Sequence, residues 1–270
     1  MGLETVLGLR RRGFFLPYRY AQDVHPPRSY PALRSLFQNA AADFSSLIDE
    51  IGRLSSAIEA MIADHRGCRL DQAWFPRLDA LAAYTLVRTR KPARIVEVGS
   101  GHSTRFMAAA IEDGGLSTEL TCIDPAPRAS LSSLEVTWRK TVLQMAPEED
   151  LQALESGDLL FIDSSHLLMP GTDVDHLVAS VLPALPSGVL LHVHDIFLPD
   201  AYPESWAWRG YNEQSAIAAL VQGGGYDLLF ASRYVATRMG EHLAESRHLA
   251  SSSVTASEDD LASSLWLVKR

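Results

Sequence analysis

Apolar residues first recur with a helical period between positions 44 and 62. Phe44, Leu47, Ile48, Ile51, Leu54, Ile58, Met61 and Ile62 follow one another at helical spacing. This predicts one long helix with a single apolar stripe, Asp43 as its N-cap and Gly67 as its stop. A second helix is predicted from about Pro76 to Arg88 on Leu78, Leu81, Ala82 and Leu86, and Lys91 and Pro92 punctuate the chain after it. The first thirty residues, rich in Pro, Arg and Tyr, carry no period.

From Ala93 the pattern changes to short apolar runs alternating with helix-like segments, as in a parallel sheet with crossover helices. Strands are predicted at Arg94–Glu97, Glu119–Asp124, Lys140–Gln144, Asp158–Asp163 and Val189–His194. Their runs are mostly continuous, as expected of strands covered on both faces. Tyr226–Ala231 and Ser264–Val268 follow as an antiparallel pair at the sheet edge, separated by a helical stretch near Tyr234–Leu243, and Ala250–Asp260 is predicted to be a surface loop. The expected fold is a doubly wound α/β sheet over residues 93–270 behind an N-terminal helical cap of residues 1–92. The cap needs the sheet domain as its apolar partner, and Gly13–Tyr20 is expected to fold over the site or onto a partner subunit.

Charge and cysteine content narrow the function. A net charge of -9 argues against a nucleic-acid surface, and Arg10, Arg11 and Arg12 alone make no backbone-tracking stripe. The two cysteines, Cys68 and Cys122, form neither a disulfide framework nor a metal motif, and Cys122 reads as a small buried hydrophobe. No apolar run approaches a membrane span or a signal-peptide core, so a cytoplasmic location is expected.

The strongest local signal is Ile95-Val96-Glu97-Val98-Gly99-Ser100-Gly101-His102-Ser103-Thr104, an apolar strand running through a Gly-x-Gly turn into a helix. Glycine there permits a tight turn and close backbone approach to a ligand. Glu97 beside the glycines opposes a pyrophosphate and suits a cationic or amino-bearing ligand. Thr104 stands where a dinucleotide fingerprint has Gly or Ala. Both departures favour S-adenosylmethionine (SAM) over NAD. Asp124, about twenty residues on, is placed to accept hydrogen bonds from ribose hydroxyls. The plainer alternative is an ordinary strand-to-helix turn.

Glu97-Val98-Gly99-Ser100-Gly101 and Asp124 resemble the first two SAM-binding motifs of class I methyltransferases. Gly13–Tyr18, Gly157–His166, His194–Pro199 and Tyr211-Asn212-Glu213-Gln214 look like one bacterial family of these, methyltransferase domain 24. The resemblance implies a Rossmann-like, seven-stranded sheet with an N-terminal helical cap. It implies SAM as cofactor, with Glu97, Gly99, Ser100, Gly101, Ser103, Asp124 and Asp163 as the cofactor-binding set. It leaves the acceptor open.

Asp163 ends the fourth predicted strand, and His194 and Asp195 end the fifth. In an open parallel sheet these ends share one crevice. The arrangement resembles catechol-type O-methyltransferases, where an Asp and an Asp-Asn pair at these places hold a divalent cation. Here the pair reads His-Asp, which departs from that pattern. Asp163, His194 and Asp195 are the candidate metal ligands, for Zn²⁺, Fe, Mn²⁺ or Mg²⁺. His166 stands where the catechol-type enzymes carry a catalytic lysine, so His166 and His194 are the candidate catalytic residues. A metal-free polar pocket is the alternative, with Asp163 as a cap and His194 bonded to a buried carbonyl. His192 lies within its strand and reads as structural.

The aromatic segment Pro199–Glu213 is either a lid or a cover for the core, and Asn212 reads as a helix N-cap. The expected function is methylation of a small-molecule acceptor at oxygen or carbon, with self-association into a homo-oligomer open and neither nucleic acid nor membrane as partner. An NAD-dependent oxidoreductase and a non-catalytic SAM-binding protein are the alternatives.

Overall fold

The computed structural model describes residues 2–64, 67–245 and 262–270. The apolar runs after Ala93 form one seven-stranded mixed sheet. Its strands are β1 (Arg94–Val98), β2 (Glu119–Ile123), β3 (Thr137–Arg139), β4 (Leu159–Ile162), β5 (Leu190–Val193), β6 (Tyr226–Ala231) and β7 (Leu265–Lys269). Their order is β3-β2-β1-β4-β5-β7-β6; β1 to β5 pair in parallel, and β7 runs antiparallel between β5 and β6. The chain winds one way from β1 and the other way from β4. Loops leaving those two strands part, which opens a crevice at their carboxyl ends.

Two elements differ from the expectation. The third strand lies at Thr137–Arg139, not Lys140–Gln144, and the latter residues instead lead into a short 3-10 turn over Leu143–Met145. An edge strand of three residues has no buried run to mark it: Trp138 is exposed and Arg139 pairs with Asp150. The apolar stripe of Phe44–Ile62 is split into helices Ala41–Arg53 and Ser55–Ala63, broken at Leu54, two residues after Gly52. Asp43 lies in the first turn of the former helix and Ala40 is its N-cap, while the latter helix ends before Gly67. The Ala250–Asp260 loop lies outside the described residues.

The Arg77–Arg90 helix is buried without interruption from Leu78 to Val87. A helix buried all round must be sandwiched, and this one packs between the His102–Gly114 and Ala41–Arg53 helices. Ahead of it, Phe44 meets Phe230 at 6.0 Å and Tyr234 at 5.7 Å, and Phe75 meets Phe161 at 5.9 Å. Burial of each such phenylalanine stabilises by ~1.5–3 kcal/mol. Side chains from before and after residue 92 thus form one continuous core.

The Gly13–Tyr20 segment does not cover the crevice. Its Phe14–Leu16 stretch lies in a shallow depression with Met169 and Pro170, and none of the described residues before Ala73 lines the main cavity. Among the described residues no helix is long and apolar enough to cross a membrane.

Candidate active site

Gly99 turns the chain out of β1 with φ of +82°, and a Cβ there would fall 1.8 Å from the backbone carbonyl oxygen of Asp163. Only glycine fits, because the turn runs directly against the end of β4. Gly101 is less confined: its Cβ would meet Arg128 Cβ at 3.3 Å. Asp124, just past β2, fixes the turn, its Oδ2 accepting the Ser100 N–H at 2.7 Å and its Oδ1 the Ala126 N–H at 2.6 Å. Gly99, Ser100, Gly101, Ser103, Asp124 and Asp163 all line one cavity of about 660 Å³.

Glu97 does not reach that cavity. It is fully buried beneath the turn, where Ser103 Oγ donates to Oε1 at 2.6 Å, Thr104 Oγ1 to Oε2 at 2.5 Å, and the Cys122 thiol to Oε2 at 3.4 Å. Thr104 Oγ1 also accepts the Gly101 N–H at 2.9 Å. The expected ligand contact is therefore corrected to a supporting one: two hydroxyls in the first helical turn consume the carboxylate and carry its hold to the glycines. Burial raises the Glu97 pKa from 4.5 to about 7, against the pull of Ser103 and Thr104.

A raised carboxyl pKa makes the folded state bind more protons than the unfolded one. Its stabilisation is complete below pH 4.5 and is lost as pH rises to about 7, on the order of 3 kcal/mol across that window. Glu97→Gln should abolish this slope. Melting wild type and variant at pH 5 and pH 8 checks it, and parallel pH profiles would contradict the assignment.

The second cluster sits beside the turn. Asp163 Oδ1 lies 3.3 Å from His166 Nε2 and 3.6 Å from His194 Nδ1. Asp195 closes the square, with Oδ2 3.4 Å from His166 Nε2 and Oδ1 3.4 Å from His194 Nδ1. His166 and Asp195 adopt left-handed φ of 57° and 55°. Such conformations cost ~1–3 kcal/mol in non-glycine residues and persist only where surroundings enforce them. Each histidine turns its other nitrogen to a buried carboxylate: His166 Nδ1 to Glu213 Oε2 at 3.0 Å, His194 Nε2 to Asp79 Oδ2 at 3.2 Å.

Burial alone would lower both histidine pKa values, but the carboxylates outweigh it. Asp163, Glu213 and Asp195 hold His166 well above its ordinary value, and Asp163, Asp195 and Asp79 do the same for His194. Burial would likewise raise Asp163, yet the charge of His194 and the hydrogen bond from His166 keep it below the carboxylate range. His166 thus has no free nitrogen with which to take a proton, which speaks against the general-base role expected of it. Asp163, His166 and Asp195 converge closely enough to hold one metal ion, and His194 Nδ1 faces the same two carboxylates. The convergent set holds His166 in place of the expected His194, and one imidazole braced by Glu213 beside two carboxylates admits a transition metal as well as Mg²⁺. His192 takes no part: it is fully buried, stacked on Phe161 at 3.7 Å, and burial holds it neutral.

Asp79 and Glu213 received no role from the sequence. Asp79, on the Arg77–Arg90 helix, accepts from Ser232 Oγ and from the backbone N–H groups of Ser263 (3.0 Å) and Ser264 (3.2 Å) as well as facing His194. The Tyr211–Gln214 motif works residue by residue on the loops after β4 and β5. Tyr211 packs on His166 at 4.6 Å, and the Asn212 side chain clasps the backbone of Leu168 rather than capping its own helix. Glu213 faces His166, and Gln214 Oε1 accepts the Phe197 N–H.

Residues 96–196 match the model of a family described as Methyltransferase domain. This segment is similar to a methyltransferase domain. No curated protein matches the sequence. Similar solved structures include the plantazolicin methyltransferase BpumL with a monoazolic desmethylPZN analog and SAH, at 14% identity over 86% of this chain and 99% of that one, TM-score 0.46. SAH-bound Podospora anserina methyltransferase PaMTH1 shares 19% identity over 80% and 93%, TM-score 0.41. A structure described as "cmcI-D160 Mg-SAM" shares 14%, and this chain covers 63% of it with 56% of its own length, TM-score 0.37.

The cavity is walled on one side by the glycine turn and on the other by the aromatic segment. Trp206, Arg209 and Tyr211 line it, whereas Trp208 is 81% exposed and points away. Trp206 also packs on buried Phe197 at 5.0 Å, so the segment both covers the core and forms the site's outer wall.

Proposed function

We propose that the domain transfers the SAM methyl group to an oxygen or carbon of a small-molecule acceptor, with a divalent metal at the Asp163–Asp195 cluster. The observation that carries this reading is the contact between Gly99 and Asp163: the residue that closes the donor turn also anchors the metal candidates. SAM would be held by the Gly99–Gly101 turn and by the lone pairs of Asp124 left after its two backbone bonds; when bound it supplies the electrophilic methyl. Asp163, His166, His194 and Asp195 would hold the metal, which when bound supplies Lewis acidity toward an acceptor oxygen.

The chain's own work is positioning. Glu97 sets the donor turn through Ser103 and Thr104, Glu213 and Asp79 set the two histidines, and the aromatic segment excludes water. Aligning an acceptor with a methyl group accounts for much of such catalysis. His166 and His194 act here as ligands, and no separate side-chain base is invoked. Residues 1–92 serve as a helical cap that folds only with residues 93–270, a reading supported by their shared core and by Asp79.

Elemental analysis of protein purified without chelator tests the metal, followed by EDTA treatment and add-back. We expect about one transition-metal ion per chain and turnover restored by add-back. Full methyl transfer in EDTA with no detectable metal would leave a metal-free polar pocket.

A further inference from the structure

Arg209 ends the 3-10 turn Glu204–Arg209 and is followed by Gly210, whose φ of +67° sends the chain back toward the site. Its guanidinium lies 3.9 Å from the Trp206 ring centre and 5.5 Å from those of Trp208 and Tyr211. Its one hydrogen bond is a long one, from Nη1 to the Tyr211 hydroxyl at 3.4 Å, and its buried Nε has no partner among the described residues. Among the described residues no carboxylate pairs with it. By contrast Arg238, after β6, is neutralised by Asp200 at 2.7 Å.

A guanidinium held flat against an aromatic ring keeps its in-plane N–H fork free and oriented, and that fork matches the two oxygens of an oxyanion. Arg209 lines the cavity, and Tyr211 beside it also packs on His166. An acceptor in the cavity can therefore meet the fork at one end and the Asp163–Asp195 cluster at the other. We propose that Arg209 is a specificity-determining residue that selects an anionic acceptor, gripping its carboxylate or phosphate while the reacting atom faces the cluster. This rests on the methyltransferase reading of the cavity and adds the chemical class of its acceptor.

The full-length protein, saturated with S-adenosylhomocysteine, is titrated in a calorimeter with benzoate, phenyl phosphate and benzyl alcohol. At least one anion should bind about tenfold or more tightly than the neutral alcohol, the usual worth of a charge-assisted hydrogen bond, and which one it is separates carboxylate from phosphate. Arg209→Gln should lose that preference and Arg209→Lys keep part of it, with S-adenosylhomocysteine affinity and melting temperature unchanged in both. Equal binding of all three probes, no anion binding, or an anion preference surviving in both variants would overturn the proposal. Failure of S-adenosylhomocysteine to bind the wild type would overturn the donor site instead, and the anion titrations are then repeated without it.

Discussion

Asp195→Ala is expected to remove bound metal and methyl transfer together while leaving S-adenosylhomocysteine affinity within about twofold of wild type. Asp195 touches both site histidines, and its other partner among the described residues is the Ser263 hydroxyl, which donates to Oδ1 at 3.2 Å. It makes no contact with the glycine turn, so donor binding and metal binding separate at this residue. The fold should survive with a small loss of stability, because a φ of 55° suits alanine no better than aspartate and the side chain removed is short. Metal content by mass spectrometry, calorimetry and a methyl-transfer assay on the same preparation check the three parts. An Asp195→Ala protein that keeps its metal would move the site elsewhere.

Asp79→Ala should show the largest loss of stability, ~3–5 kcal/mol, the usual cost of breaking a fully buried charged network by removing one partner. The change takes the acceptor from the Ser263 N–H and from His194 Nε2 in a buried site, and leaves the Ser264 N–H only Ser232 Oγ and the Ser232 hydroxyl only the Ser264 carbonyl. In a chain of this size that corresponds to a fall in melting temperature of roughly 10 °C. His194 also loses the group that orients its ring, so metal affinity should drop about 10–100-fold. Asp79→Asn, keeping one oxygen, should fall between. A melting temperature near wild type for Asp79→Ala would show that the four donors find other partners.

Much of the fold was legible because a parallel sheet covered on both faces writes its strands as unbroken apolar runs. β1, β2, β4, β5, β6 and β7 lie within a residue of their expected ends. β3 escaped because an edge strand with exposed Trp138 has no such run, and Val142–Leu143, apolar but outside the sheet, was the stronger signal. Gly99, Asp124, Asp163, His194 and Asp195 lie around one cavity as expected, since strand ends in this topology converge. Glu97 was mistaken for a ligand contact although Ser103 and Thr104, two hydroxyls a helical turn on, were available to take its carboxylate. Asp79 left one trace, a lone carboxylate in the otherwise apolar run Leu78–Ala83. Its distance in sequence from His194 hid the partner.

Calorimetric titration of S-adenosylhomocysteine into wild type, Asp124→Ala and Gly101→Val tests the central claim, a methyl-donor site at the carboxyl ends of β1 and β2. Asp124→Ala frees two backbone N–H groups of the turn and removes the acceptor offered to the ribose, which should weaken binding by ~1–3 kcal/mol. Gly101→Val crowds the turn against Arg128 and should weaken it as well. Affinity unchanged in both variants, in protein that melts like wild type, would contradict the site.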